Sequence, residues 1–330
     1  MTISKFKFPA IILGGTAALL LIIVGSFRTW LASQYRSPEF ATSIEQTIMA
    51  SGIASGSNIK VSPGQITGLF GVKFAEIRLS STKQTTSEFV VVNTVIRPNL
   101  LLTPITKTIP FTLTLAIPPS GVLSVEGKLQ FDWGFAEIKM LQTRILLQNT
   151  ETSTIRNLLI HTGAPDGLKK ALALLNSRIN GQAFLEEQDL RDLKKGSGNV
   201  ETTFTKTQFG MPQFSRFPLD ASAMQIIWKN GSVKTPHPWR LSAKVLGQSL
   251  QAAINYSAEK AGVTLEIVTQ GPVFFLASLA GLLNCPLPAG LSTAPLLAAQ
   301  GGNGTVRFLM SSPESGRPFK CSATAGGRAP

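Results

Sequence analysis

Apolar and polar residues alternate with a period of two through much of the chain, most cleanly between residues 108 and 131. In "TIPFTLTLAI", Ile109, Phe111, Leu113, Leu115 and Ile117 fall on one side, while Thr108, Thr112, Thr114 and Ala116 fall on the other. "GVLSVEGKLQFDW" repeats the rhythm, with Leu123, Val125, Leu129 and Phe131, and Trp133 beyond them, set against Ser124, Glu126, Lys128 and Gln130; the nine apolar residues from Ile109 to Phe131 are the candidate face. Period two is the side-chain period of a strand. The link "PPSG" is turn chemistry, so the two segments predict a hairpin whose nine apolar residues form one candidate face. Upstream, "VKFAEIRLSS" alternates with a one-residue slip between Phe74 and Ile77, the mark of a bulge. "EFVVVNTVIRP" is β-branched almost throughout and ends at Pro98.

The same reading predicts strands over about Phe135 to Leu147, Thr154 to His161 and "GNVETTFTKTQF"; "GQAFLEEQDLRDLKKGSG" fits a strand or a helix, with a strand to about Gln188 favoured. "MQIIWKNGSVKT" carries Asn230-Gly231 at its tip, a strong short-range hairpin signal. "PWRLSAKVLG", "QSLQAAINYS" and "AGVTLEIVTQ" follow at the spacing of a meander. Three helices are expected. One runs from Pro38 to about Ala54 with Ser37 as its cap and Phe40, Ile44 and Ile48 on one face. A second is "APDGLKKALALLNSRIN", with Asp166 as cap and Leu168, Leu172 and Leu175 as its stripe. The third is "PVFFLASLAGLL", Pro272 to Leu283, inside a stretch from Ile267 to Val306 without a charged residue. The following Pro/Gly-rich segment reads as an apolar loop and the tail beyond Cys321 as disordered.

These elements predict a mainly β protein built on an elongated antiparallel sheet with a few short helices. About a dozen strands at about 4.8 Å spacing make a sheet nearly 60 Å wide, which three helices cover only in part. The sheet therefore either folds on itself as a sandwich or leaves part of its apolar face open as a groove.

The N-terminus adds a second kind of pattern. Phe8 to Phe27 is 20 residues without a charge, preceded by Lys5 and Lys7 and followed by Arg28 and Trp30. A helix of that length spans about 30 Å, the hydrocarbon thickness of a bilayer. The alternative is a cleaved signal peptide, whose apolar region is shorter and ends in a small-residue site. The expected organisation is a cytoplasmic tail over 1–7, a transmembrane anchor over 8–27, a linker and short helix over 28–57, a β-rich domain over 58–270, and an apolar loop and helix region over 271–330. The short basic tail orients the bulk of the chain outside the cytoplasm, with a membrane as first partner.

Apolar content of 43% supports a real core, and charged content is only 15%. The formal net charge of +13 allows attraction to anionic surfaces, or is a scatter of solubilising cations. No basic run with interleaved aromatics is present, so nucleic acid is not an expected partner.

Residues that carry chemistry are sparse. The two histidines, His161 and His237, lack nearby triad partners in sequence. Glu186, Glu187, Asp189 and Asp192 cluster, but they sit beside Lys194 and Lys195 and read as a solvated turn. The sequons at Asn230, Asn255 and Asn303 carry little weight in a chain so rich in Ser and Thr. Metal spacing, a dinucleotide fingerprint and a phosphate loop are all missing, so neither an enzyme nor a cofactor is expected. Cys285 and Cys321 are the two cysteines. They close a disulfide in an oxidising compartment, or remain two buried thiols.

"SPGQITGLFGVKFAEIRLSS" followed by "VVVNTVIRPNLLLTP", with Arg97-Pro98-Asn99-Leu100-Leu101 at its end, resembles the amino-terminal pattern of the type II secretion system protein N family and of the wider AsmA-like group. "NGQAFLEEQDL", "GSGNVETTFTKTQF", "NGSVKT", "AKVLGQSLQAAINYS" and "VTLEIV" are similar to the later strands. The resemblance implies an inner-membrane-anchored, β-rich periplasmic protein without catalytic residues. It implies an accessory role in type II secretion, with secretion-machinery proteins as partners. The alternative is an AsmA-like groove that binds phospholipid acyl chains in envelope biogenesis.

Overall fold

The computed structural model describes residues 25–50, 57–81, 88–100, 107–131, 138–161, 173–189, 196–211, 214–245, 247–259, 262–286, 303–312 and 320–326. The expected anchor over 8–27 lies outside these except for its last three residues. Among the described residues no helix is long and apolar enough to cross a membrane.

Seventeen strands form one sheet, and every pairing is antiparallel. β1 (Ser57–Val61) and β2 (Gly64–Thr67) share one row against β3 (Gly71–Ser81). Single rows follow in chain order: β4 (Glu88–Pro98), β5 (Thr108–Ile117), β6 (Gly121–Phe131), β7 (Ile138–Glu151), β8 (Leu175–Asp189) and β9 (Gly196–Met211). β9 pairs along its length with both β10 (Phe214–Ala221) and β11 (Met224–Lys229). The next row is β12 (Ser232–Lys234) with β13 (Trp239–Val245), and both pair with β14 (Gln248–Glu259). β15 (Gly262–Pro272), β16 (Asn303–Ser312) and β17 (Lys320–Ala325) complete the meander. Three rows hold two short strands each, so the sheet has fourteen rows and a width of about 60 Å. All the described strands belong to this one hydrogen-bonded sheet.

Directly opposed residues in an antiparallel pair point to the same face. Following the register therefore tracks one face across the molecule. Ile96 opposes Leu113, which opposes Val125, which opposes Ile145, which opposes Ala183, which opposes Val200, which opposes Ile226. Leu241–Ala252–Thr269–Val306 continues the face to the far side. Four bulges keep it in phase. Asn93, Gln142, Asn149 and Lys206 sit at left-handed φ values of 46–53° where the register shifts. The Asn149 bulge is pinned by its own N–H, which donates to Asn180 Oδ1 at 2.8 Å. In β3, Phe74 and Ile77 both pack on the apolar face, which is the slip the alternation predicts.

All the helices whose packing is described lie on that same face. α1, over residues 25–36, leads into α2 (Pro38–Ala50), where Ser37 Oγ accepts the Phe40 N–H at 3.2 Å as an N-cap. Phe40, Ala41, Ile44 and Ile48 of α2 pack on Ile59, Val61, Val72 and Phe74. α3 (Thr152–His161) places Leu158 against Phe89, Val91 and Ile117. α4 (Val273–Leu283) buries Phe275, Leu276 and Ala280 against β10 and β13–β16, and ends on Asn284 in a left-handed C-cap.

Several expectations need correction. Thr154 to His161 is helix, not strand: Ile155, Leu158 and Leu159 have helical spacing, and docking onto the sheet outweighs the β-branched start. The helix expected over residues 164–180 falls mostly outside the described residues, and Leu175 onward is strand β8. The sheet does not stop at residue 270. β16 and β17 extend it, so the expected disordered tail begins with a paired strand. Val306, Phe308 and Met310 supply a buried period-two face that the uncharged flanking sequence obscured.

Candidate functional site

The hairpin β5–β6 brings the nine predicted face residues together. Ile109 opposes Leu129, Leu113 opposes Val125 and Leu115 opposes Leu123. Phe111 and Ile117 oppose Gly127 and Gly121, and Phe131 follows Leu129 on the alternation, pairing with Ile138. The glycines make room for threonines from β7. A Cβ on Gly127 would collide with Thr143 Oγ1, and one on Gly121 would collide with Thr150 Oγ1. Both threonines are fully buried.

Coverage divides this face into two parts. Ile117, Leu115 and Leu123 lie under α3 in a packed cluster. Ile109, Phe111, Leu113 and Leu129 are half-buried and belong to none of the packed clusters of the described residues. Ile145, Val200 and Ile226 continue the same half-exposed strip across β7, β9 and β11. Toward the C-terminal rows the strip meets a cavity of about 130 Å³ between α4 and the sheet, lined by Phe209, Phe217, Leu241, Leu250, Phe275 and Leu279 among others. The strip is thus bordered by α2 and α3 on one side and α4 on the other.

The opposite face is chemically different. One of its hollows is lined by Asp220, Ser222, Arg240, Ser242 and Gln251, another by Gln148, Asn180, Gln182, Glu201 and Thr203. Exposed apolar residues there, Val122, Phe184, Ile227 and Leu309, stand singly. The two faces of the sheet therefore differ in polarity.

The residues with reactive potential are not gathered. His237 is exposed, while His161 is fully buried at the end of α3. His161 Nδ1 lies 2.9 Å from Ser57 Oγ, and its Nε2 is buried with no hydrogen-bond partner among the described residues. Burial lowers its pKa, because the imidazolium would lose its hydration. Glu186, Glu187 and Asp189 lie in the last residues of strand β8, not in the expected turn, and Asp192 lies outside the described residues. Glu186 accepts from Ser197 and Glu187 pairs with Lys139 at 2.9 Å. Among the described residues no group of three His, Cys, Asp or Glu could hold a metal. Cys285 and Cys321 form a disulfide with a Cα–Cα distance of 5.2 Å, tying the end of α4 to β17.

No family model, curated protein or solved structure matches the chain.

Sequence reasoning found the face on β5 and β6 but missed its continuation over Ile145, Val200 and Ile226. Alternation is present in "GNVETTF" but not in "RILL", where three apolar residues run together, and only the pairing register shows which of those residues join the first nine.

Proposed function

We propose that this chain is a non-enzymatic, membrane-tethered protein that holds phospholipid acyl chains on the apolar face of its sheet, outside the cytoplasm. The observation that carries the reading is the strip Ile109–Leu113–Leu129–Ile145–Val200–Ile226, which runs from row to row and is only half-buried. A contiguous apolar surface of this extent marks a binding site, and saturated chains match its lack of polar partners. The AsmA-like resemblance points the same way. The test is photolysis of the full chain in vesicles containing a phospholipid with a diazirine at the acyl terminus. Adducts on the Ile109–Leu129 hairpin that disappear in Leu113→Asp support the reading. Adducts confined to residues upstream of Gly25 reject it.

A second reading has its own observation. The outer edges of β17 and of the β1/β2 row have no strand partner among the described residues. Open edges accept an added strand, which suits an accessory component that docks secretion-machinery proteins in a type II secretion system. Pull-down of secretion-channel proteins by a chain that carries no lipid favours this reading over the first.

A further inference from the structure

The stretch "ITGLFG" is a turn with a purpose that the sheet does not supply. Gly68 takes φ +61° at the tip between β2 and β3, and a Cβ on Gly71 would meet the Thr67 and Ile96 carbonyls below 3.0 Å. That tight backbone pushes Leu69 outward, where it is 51% exposed. Burying Leu69 within the fold would require a different turn.

The start of α1 lies beside it. Phe27 stacks on Trp30 at 5.6 Å and meets the edge of Phe70 at 6.0 Å. Arg28 Nε donates to the Gly68 carbonyl at 3.1 Å, which ties the helix to the turn. Tyr35 donates its hydroxyl to the Phe70 carbonyl at 3.1 Å. Phe27, Trp30 and Leu69 are three of the large apolar side chains exposed among the described residues, and they converge here while the others are dispersed.

Phe27 is also the last residue of the 20-residue uncharged run, so that run leads directly into the patch. An apolar run of bilayer length followed by Trp and Arg is the arrangement that places aromatic rings at headgroup level and cations against phosphates. Arg28 and Arg36 supply the cations, both exposed.

We propose that the β2–β3 turn and the start of α1 form a membrane seat: Leu69, Phe27 and Trp30 enter the interfacial layer of a phospholipid bilayer, with Arg28 and Arg36 facing anionic headgroups. The seat fixes the β1–β3 end of the sheet against the bilayer surface. It holds whether or not the sheet carries acyl chains.

The test uses the full chain in vesicles of phosphatidylcholine with phosphatidylglycerol as the minor component. The probe is a phospholipid carrying a diazirine next to its glycerol, mapped by peptide mass spectrometry after photolysis. Adducts are expected on the peptide holding Leu69 and Phe70, and Leu69→Ser should lower them about tenfold while adducts upstream of Gly25 persist. An unlabelled turn overturns the proposal, with or without labelling upstream. So does labelling that survives Leu69→Ser combined with Trp30→Ser. A turn that is bare in vesicles but protected from hydrogen exchange in native membranes assigns the patch to a protein instead, and also overturns it.

Discussion

The ring of His161 reaches across 104 residues of sequence to place Nδ1 2.9 Å from the hydroxyl of Ser57. This contact ties the end of α3 to the first strand of the sheet. The ring is fully buried and its second nitrogen has no partner among the described residues, so protonation would place a charge in a buried setting.

Stability should therefore fall on acidification. The pKa of His161 is lower in the fold than in the unfolded chain, where it is about 6.5. Between those two values the unfolded state binds more protons, so stability rises with pH across that window. The contribution is complete above the unfolded value and is lost as pH drops below it. Thermal melts from about pH 7.5 to about pH 5 should show a declining Tm, and the decline should be shallower in His161→Gln. Equal slopes in both proteins would show that another group controls the acid limb.

Phe74 is 1% exposed and stacks on Phe40 of α2 with ring centroids 6.2 Å apart. Phe74→Ala should cost about 3–5 kcal/mol, because the surrounding strands cannot collapse into the space. Urea unfolding measures the loss, and hydrogen exchange should show α2 opening before the central rows.

Gly127 faces the buried hydroxyl of Thr143 on the neighbouring strand. Gly127→Ala should destabilise by about 1–3 kcal/mol through overpacking, despite the better strand propensity of alanine. Adding Thr143→Ala should recover much of that loss, since it removes the obstructing atoms. A double mutant no more stable than the single one would place the strain elsewhere in the hairpin.

The disulfide between Cys285, just past the end of α4, and Cys321 closes a loop that contains β16 and the start of β17. The paired Cys285→Ser and Cys321→Ser variant should lose about 3–4 kcal/mol by the chain-entropy estimate for a loop of this size. The loss should appear first as faster amide exchange in β17 and at the end of α4. Denaturant midpoints with and without reductant give the same comparison in the unmodified chain.

How much of this fold the sequence reveals depends on whether each element has one wet face. β5 and β6 do, with Thr112, Thr114, Glu126 and Lys128 exposed opposite apolar partners, so the alternation is legible. The hairpin at Asn230-Gly231 is legible for a different reason: both residues take positive φ, as the dipeptide predicts. α3 is misread because Thr152, Thr154 and Ile155 favour strands locally, and its helical form depends on a sheet contributed by residues far away. β17 is made of small residues, whose pattern carries little signal until β16 is beside it. The half-exposed strip is a property of where the helices do not sit, and no local pattern encodes that.

The meander has a kinetic consequence. Each row pairs with the row just before it in the chain, so no segment must wait for a distant partner to emerge. Growth can proceed by successive addition onto a template already laid down, and the entropy of closing long loops is largely avoided. The same one-dimensional order lets an evolving chain lengthen by inserting a hairpin between any two rows, leaving every other neighbour relationship intact.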